Sequence, residues 1–486
     1  MRKRFEQPNL IFKQIRDVAF SLKTRDELAP VLRALQHVFI TIDLNEKIFD
    51  LLEEKIVNSK MKTGRKGMDL WHILVLGVVR HTLNCNWDRL LHYANYDRLV
   101  REVMGVECTN FSPELVDFQY QTILDNVRLI DEDLLGKINE IVITEGLQII
   151  KKKEEALRIK TDSYVLETNV HFPTDLNLLW DSSRKCLDLV DKIRKKVPIA
   201  GWRKIKAIRQ SIKSEFRSCS QKVFNGKNDK QKKESVRNYL GLTQGLSLRC
   251  HQVIAALEVN MMCREIEGLD LHLELQKYVE YLDKFNDLVR RRLLNNEVIP
   301  AHEKIYSIFE PHTEWITKGK LNKKVELGHS ILITTDQTNL ILDYHVMEEV
   351  KDVEVVGDWI RRIEEKFGSQ TIASHSFDKG FSSRMNKEKL DSSNLGKSIL
   401  PKKGKKNIEE KERESRKEYK KLRNKHSAIE SNINMLEHHG LDRCPDKGLY
   451  SFKRYVGFGI LAYNLHIIGN HLQELAKAKE KRRLAA

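Results

Sequence analysis

The segment RIKTDSYVLETNVHF (Arg158–Phe172) constrains this chain more than any other. β-Branched and aromatic residues are mixed with polar ones there, which reads as a β-strand, and Asp162 sits in its middle. Burying an unpaired carboxylate is costly, so a strand that carries one needs a reason. Long helical patterns flank this strand on both sides. The expected fold is therefore an α/β core with a mixed sheet, an all-helical N-terminal region and a helical insertion in the core.

Residues 1–66 read as helical and run into the basic stretch MKTGRKG (Met61–Gly67). Asp69 is placed to cap a helix bearing Leu70, Ile73, Leu74, Leu76, Val78 and Val79. Asn86 would cap a shorter helix through Trp87, Leu90 and Leu91, and Asp97 a third with Leu99, Val100 and Val103. Three short helices closing on Gly105 suit a helix-turn-helix that sets one helix in a major groove, or a structural or dimerising bundle. Ser112-Pro113 reads as an N-cap and first helical position, opening a helix or helix pair that runs to about Lys153.

From Ser183 to Ile299 the pattern is helical and basic, as in GWRKIKAIRQSIKSEFR (Gly201–Arg217) and YVEYLDKFNDLVRRRLL (Tyr278–Leu294). Strand character returns in KVELGHSILITT and NLILDYHVM, which flank Asp336-Gln337 as a hairpin turn. A helix is predicted over Val356–Phe367, then a short strand, QTIASHSFD, ending at Asp378. From His426 the chain reads as a helix, a Gly440–Lys447 loop, a long apolar helix over Tyr455–Leu475 and a basic tail from Lys477 to Arg483. The expected division is a helical region over 1–155, the first part of the core over 156–182, the insertion over 183–305 and the rest of the core over 306–486.

Lys and Arg number 85 against 69 Asp and Glu, a net charge of +16, which favours a polyanionic partner through counterion release. Lys397–Lys425 holds 13 Lys/Arg against 5 Glu, half of that excess, and reads as a solvated helix or a phosphate-contacting one. Lys402, Lys403, Lys405, Lys406, Arg423, Lys425 and His426 are its candidate DNA contacts, with Arg203 and Lys204 in the insertion. Trp180 is a candidate to stack on an unpaired base, with core packing as the alternative. Mean hydropathy is −0.49 and no run of 18 apolar residues occurs, so no membrane span is expected. The N-terminus, MRKRFEQPNLIF, is basic but lacks a long apolar stretch behind it, so no secretory signal is expected. Seven scattered cysteines without a C-x-x-C pair suit reduced thiols in a cytoplasmic protein, and a polyanionic partner that is DNA would make it nucleoid-associated.

Asp162 and Asp378 would stand at matching heights on adjacent strands, where two carboxylates either repel or bind a hard cation such as Mg²⁺ or Mn²⁺. A third acid from a helix packed on the sheet completes a site for two ions. Glu430, in KHSAIESNINMLEHHGL, is the candidate, on a helix whose Ile429, Ile433 and Leu436 would face the sheet. Asp336 could replace Asp378, although turn chemistry explains it. Glu437 could replace Glu430, two turns along the same helix. His438, His439 and Cys444 lack a fourth ligand at zinc spacing.

DSYVLETNVHFPTDLNLLWD (Asp162–Asp181), which includes His171, resembles the first-aspartate motif of bacterial insertion-sequence DDE transposases. EPHTEWITKGK followed by VELGH resembles the entry to their next strand, FDKGFSS (Phe377–Ser383) their second-aspartate motif, and HSAIESNINMLEHHGLDRC (His426–Cys444) their glutamate helix. Ala462-Tyr463-Asn464-Leu465 is similar to part of their closing helix. The likeness runs from about Arg158 to the C-terminus. It implies a ribonuclease H-like core, two metal ions held by Asp162, Asp378 and Glu430, and double-stranded DNA (terminal inverted repeats and a target) as partner. It also implies cleavage at element ends, strand transfer and a homo-oligomer on DNA. Two departures stand out. The insertion falls between the first aspartate and the hairpin, and His426 and Glu437 occupy positions where many relatives carry Arg and Lys. A ribonuclease H-like nuclease or domesticated recombinase, or a non-enzymatic DNA-binding protein, is the alternative reading.

Overall fold

The computed structural model describes residues 2–5, 13–57, 67–106, 117–150, 155–197, 199–261, 269–317, 324–368 and 371–485. Met61–Lys66 of the basic stretch, Ser112-Pro113 and Lys151–Lys153 lie outside them. The chain divides into two units, one of residues 1–169 with 316–486 and one of Val170–Trp315.

The first unit is built on a mixed sheet. Its strands are β1 (Leu157–Thr168), β2 (Glu314–Ile316, of which only Ile316 belongs to this unit), β3 (Glu326–Thr335), β4 (Ile341–Val346), β5 (Ile372–Phe377), β6 (Lys397–Ile399) and β7 (Arg443–Cys444). The spatial order is β2-β3-β1-β5-β6, with β4 also on β3 and β7 on β1. β3 runs antiparallel to both β1 and β4. β5 and β7 lie parallel to β1, and β6 parallel to β5. The expected hairpin is therefore present as β3–β4. Asp336 closes it: its carboxylate accepts from the Thr338 and Leu340 backbone N–H groups at 2.8 and 2.9 Å.

Side-chain alternation gives the sheet two dry faces. On one, Leu157, Ile159 and Phe377 pack with Trp359 and Ile363 of the Val356–Phe367 helix, in a core that also holds the N-terminal helices from Ile15 to Ile143. On the other, Tyr164, Leu166, Ile331 and Ile333 meet Ile429 and Leu436 of the Ala428–Leu436 helix, together with Phe452, Val456 and Ile460. The last three belong to a long helix, Leu449–Ala485, that contributes to both cores. Asn464 on it is fully buried and pins β4, accepting from Ile341 N–H and donating to Ile341 C=O, each at 2.9 Å. None of the described helices is long and apolar enough to cross a membrane.

The sequence division at 155/156 falls inside this first unit, because the helices before β1 bury their apolar faces against the sheet layer and Leu449–Ala485. Of the helix-turn-helix candidates, Leu70–Thr82 is buried at every residue, while Asn86 and Asp97 cap Trp87–Tyr96 and Arg98–Met104 as anticipated. Any DNA contact by this bundle is thus left to the two shorter helices. Asp69 precedes its helix without a side-chain cap. Lys397–Lys425 is not one helix: it forms β6 and then the helices Ile408–Ser415 and Lys417–His426.

The second unit is helical, with Asp175–Lys196, Ile205–Asn225, Asp229–Met261 and Leu269–Leu293 around a core that includes Leu187, Val190, Tyr239, Leu282 and Phe285. It begins 13 residues before the expected Ser183 and ends ten residues after 305.

Candidate active site

β1 and β5 pair in parallel with Lys160 opposite Ser376 and Thr161 opposite Phe377. β5 ends there, and Asp378 is the next residue. One further step of the register sets Asp162 level with Asp378, on strands about 5 Å apart. Among the described residues, the β5 side of β1 then has no partner strand until β7 pairs with Glu167 and Thr168. The two acids therefore sit at the mouth of a notch at the carboxyl end of the parallel strands, a recurrent place for ligands in α/β sheets. Asp162 is half-buried and its Oδ1 accepts from the Ser163 N–H at 2.8 Å; Asp378 is exposed.

Asp162 lies on the face of β1 that meets the glutamate helix. Asp162 alternates with Tyr164 and Leu166, whose face packs against Ile429 and Leu436. Phe377 points the other way, its ring 4.7 Å from that of Trp359, and Asp378 after it is near enough to the His426 imidazole to oppose the effect of burial there. The Ala428–Leu436 helix carries Glu430 in its first turn, exposed beside the buried Ile429. Glu437 opens the π-turn Glu437–Leu441 that ends this helix. Its charge, after burial, helps hold the Tyr164 phenol far above its usual range, which places Glu437 near β1 beyond Asp162. Among the described residues no three His, Cys, Asp or Glu side chains meet closely enough to hold a metal ion. The sheet thus brings Asp162 and Asp378 together, and Glu430 does not close a group of three with them in this conformation.

Three residues that sequence reasoning passed over line the same place. Lys160 is buried on the acid face, without an ion pair among the described residues, and its burial lowers its pKa. Ser376 bonds His426 Nδ1 through Oγ at 2.9 Å. Burial pushes the His426 imidazole down to about 4, against the pull of Asp378, so it is neutral near pH 7. Asp352 accepts from Ser163 Oγ at 2.7 Å, and its carboxylate crowds Gly380, where a Cβ would lie 3.2 Å from Oδ2. It ties the residue after Asp162 to the turn after Asp378. A polar residue next to a strand aspartate was the only signal available for Ser163 and Lys160.

The basic segment leaves β6 at the same end of the sheet. Glu414, 8% exposed, organises its loop: it accepts from Lys402 N–H at 3.0 Å and from Lys406 Nζ at 2.6 Å, with Arg423 at 3.7 Å. Lys403, Lys405 and Lys425 have no ion pair among the described residues. Arg203 and Lys204 are exposed in the helical unit, where Trp180 stacks on Phe216 at 5.9 Å and is packed against that unit's core. His171 and Asp181 pair there at 3.3 Å. His439 Nδ1 bonds the Thr82 carbonyl at 3.0 Å.

Two acids on or just after adjacent parallel strands, with cations nearby, are a donor set suited to a hard cation. Comparison of the chain with protein-family models, with curated proteins and with solved structures yields no match.

Proposed function

We propose that this chain is a divalent-metal-dependent DNA transposase with a ribonuclease H-like core. The observation that carries this reading is the parallel register of β1 and β5, which pairs Thr161 with Phe377, the residues just before Asp162 and Asp378. The strand order β4-β3-β1-β5-β6, antiparallel only through β3, supports the fold. So does the order of elements: aspartate strand, hairpin, helix, aspartate strand, glutamate helix.

The donor set fits a hard cation, being carboxylate oxygen only, and Asp162, Asp378 and Glu430 would hold it. Bound there, Mg²⁺ or Mn²⁺ would polarise the attacking oxygen and neutralise charge on the leaving one. The chain's own part is positioning. Glu414 holds the Lys402–Lys406 loop at the end of β6, where Lys403 and Lys405 would contact DNA phosphates. Neutral His426 adds no charge to the acid pair and, through Ser376, fixes the start of the glutamate helix against β5.

The test is cleavage and joining by the purified full chain on DNA carrying its flanking inverted repeats, with Mg²⁺ or Mn²⁺. Asp162→Ala, Asp378→Ala and Glu430→Ala should each lose both steps, while Asp336→Asn, in the hairpin turn, should keep them. Cleavage without joining of the freed 3′ end would leave a nuclease. Undiminished cleavage by Asp162→Ala or Asp378→Ala would refute the assignment.

A further inference from the structure

The largest unused concentration of charge lies away from the acids. Residues 201–233 of the helical unit contain eleven Lys/Arg and two acidic residues, a net of +9. Two of these cations are engaged, Arg209 with Asp188 and Lys232 with Asp229. The remaining nine have no ion pair among the described residues, and unpaired like charges at this density repel unless an anion joins them.

Their arrangement is ordered. On the Ile205–Asn225 helix, Ile205, Ile212 and Cys219 are buried in the unit's core. Lys206, Lys213, Arg217 and Phe224 follow one another at intervals of seven, four and seven, which puts all four on one exposed face. At 1.5 Å per residue the row is about 27 Å long. Its last member is an aromatic ring 61% exposed, an expensive thing to leave in water at the end of a cationic row.

Phe224 lines a cleft of about 650 Å³ that lies wholly within this unit. Trp315, which also lines it, meets Phe172 edge to face and Tyr306 at a tilt, each with centroids 5.5 Å apart. Phe172 is 57% exposed and Trp315 36%. At the rim Arg292 is neutralised by Asp175 at 2.6 Å, while Lys304 has no ion pair among the described residues. An apolar peptide would fit the rings but not the cations, and a rigid duplex would fit the cations but not a cleft. A cationic track leading to stacking rings is the chemistry that holds unpaired nucleotides.

We propose that the helical unit binds single-stranded DNA, with phosphates along Lys206, Lys213 and Arg217 and an unpaired base against Phe224 and Trp315. This deepens the transposase reading by giving the unit a strand to hold, but it is tested by binding alone.

The probe is a 12-nucleotide strand carrying fluorescein and one 2-aminopurine, titrated with the full chain in EDTA so that no cleavage occurs. The expected result is tighter binding than to a blunt duplex of equal length, with quenching of 2-aminopurine. Lys206→Ala/Lys213→Ala/Arg217→Ala should lower the slope of log affinity against log salt by about two, from roughly 0.7 per lost phosphate contact. Phe224→Ala, a change at an exposed ring, should abolish the quenching and weaken binding about 5- to 100-fold. Equal or better binding of the duplex, of an RNA strand or of anionic lipid vesicles would overturn the proposal, as would unchanged quenching in Phe224→Ala. If Asp162→Ala is inactive while these variants bind like the parent, this inference alone fails. If Asp162→Ala cleaves normally while these variants lose binding, the transposase reading alone fails.

Discussion

Asp446→Asn should destabilise the first unit by about 3–5 kcal/mol, the range for removing one partner of a buried ion pair. Asp446 follows β7 and accepts from Arg80 at 2.7 and 3.1 Å, with Arg454 at 3.6 Å. The two arginine side chains are each 5% exposed and the aspartate 9%, so solvent screens little of the loss. Asparagine keeps the shape and some hydrogen bonding but leaves two guanidinium groups with no anion. Arg80 stays over the Trp87 ring at 4.0 Å, a contact present before and after the change, so it does not offset the loss. The assay is urea unfolding followed by far-UV circular dichroism and tryptophan fluorescence. Replacing the cluster with apolar groups, as Arg80→Met/Asp446→Leu, should cost less than the sum of the single changes. A loss below about 1 kcal/mol for Asp446→Asn would refute the reasoning. The change also bears on the site, because β7 returns the chain from the glutamate helix to β1. Activity should therefore fail at a lower temperature in Asp446→Asn than in the parent.

Three further outcomes are expected. Glu430→Gln should cut metal-dependent cleavage about a thousandfold, the rate cost of some 4 kcal/mol, whereas Glu437→Gln should retain it within tenfold; the opposite pattern would transfer the role to Glu437. Gly469→Ala should lose 3 kcal/mol or more, since its Cβ would lie 1.8 Å from the Pro30 carbonyl oxygen and neither backbone can yield, and a stable variant would contradict the packing. Burial holds His81, His375 and His466 below the usual imidazole range, so the unfolded chain takes up protons near pH 6.5 that the folded chain refuses. Stability should accordingly be complete above about pH 7 and fall as pH drops below 6.5, and a flat urea midpoint between pH 7.5 and 5 would count against neutral burial.

The elements that carry the acids were legible because each is written locally. β-Branched and aromatic residues mixed with polar ones mark β1, apolar runs on either side of Asp336-Gln337 mark the β3–β4 hairpin, and the helix read over Val356–Phe367 has those same ends in the structure. β6 and β7 were not legible. They are three and two residues long, and pairing with β5 and β1 rather than any pattern of their own makes them strands. Nor does periodicity say what a buried face is buried against. Leu70–Thr82 looked like one member of a small bundle, yet it is enclosed on all sides within a core shared with the sheet layer. That Asp162 and Asp378 belong to neighbouring strands was read from strand context, but Lys160, Ser376 and Asp352 come near them only through the parallel register and a loop 189 residues away from Ser163. Trp180 shows the converse: an aromatic in a suggestive motif that spends its surface on Phe216.

The strands on either side of the helical unit are themselves neighbours, with Glu167 of β1 opposite Gly328 of β3. In effect Val170–Trp315 occupies the turn of an antiparallel hairpin. Closing so long a turn instead of a ten-residue one costs only about 2–3 kcal/mol, since the penalty grows with the logarithm of length, and a unit with its own core brings its own ends into place. The acid pair depends on the opposite edge of β1, where β5 sets the register. A module of this kind can therefore be enlarged, exchanged or lost by descent without moving Asp162 relative to Asp378.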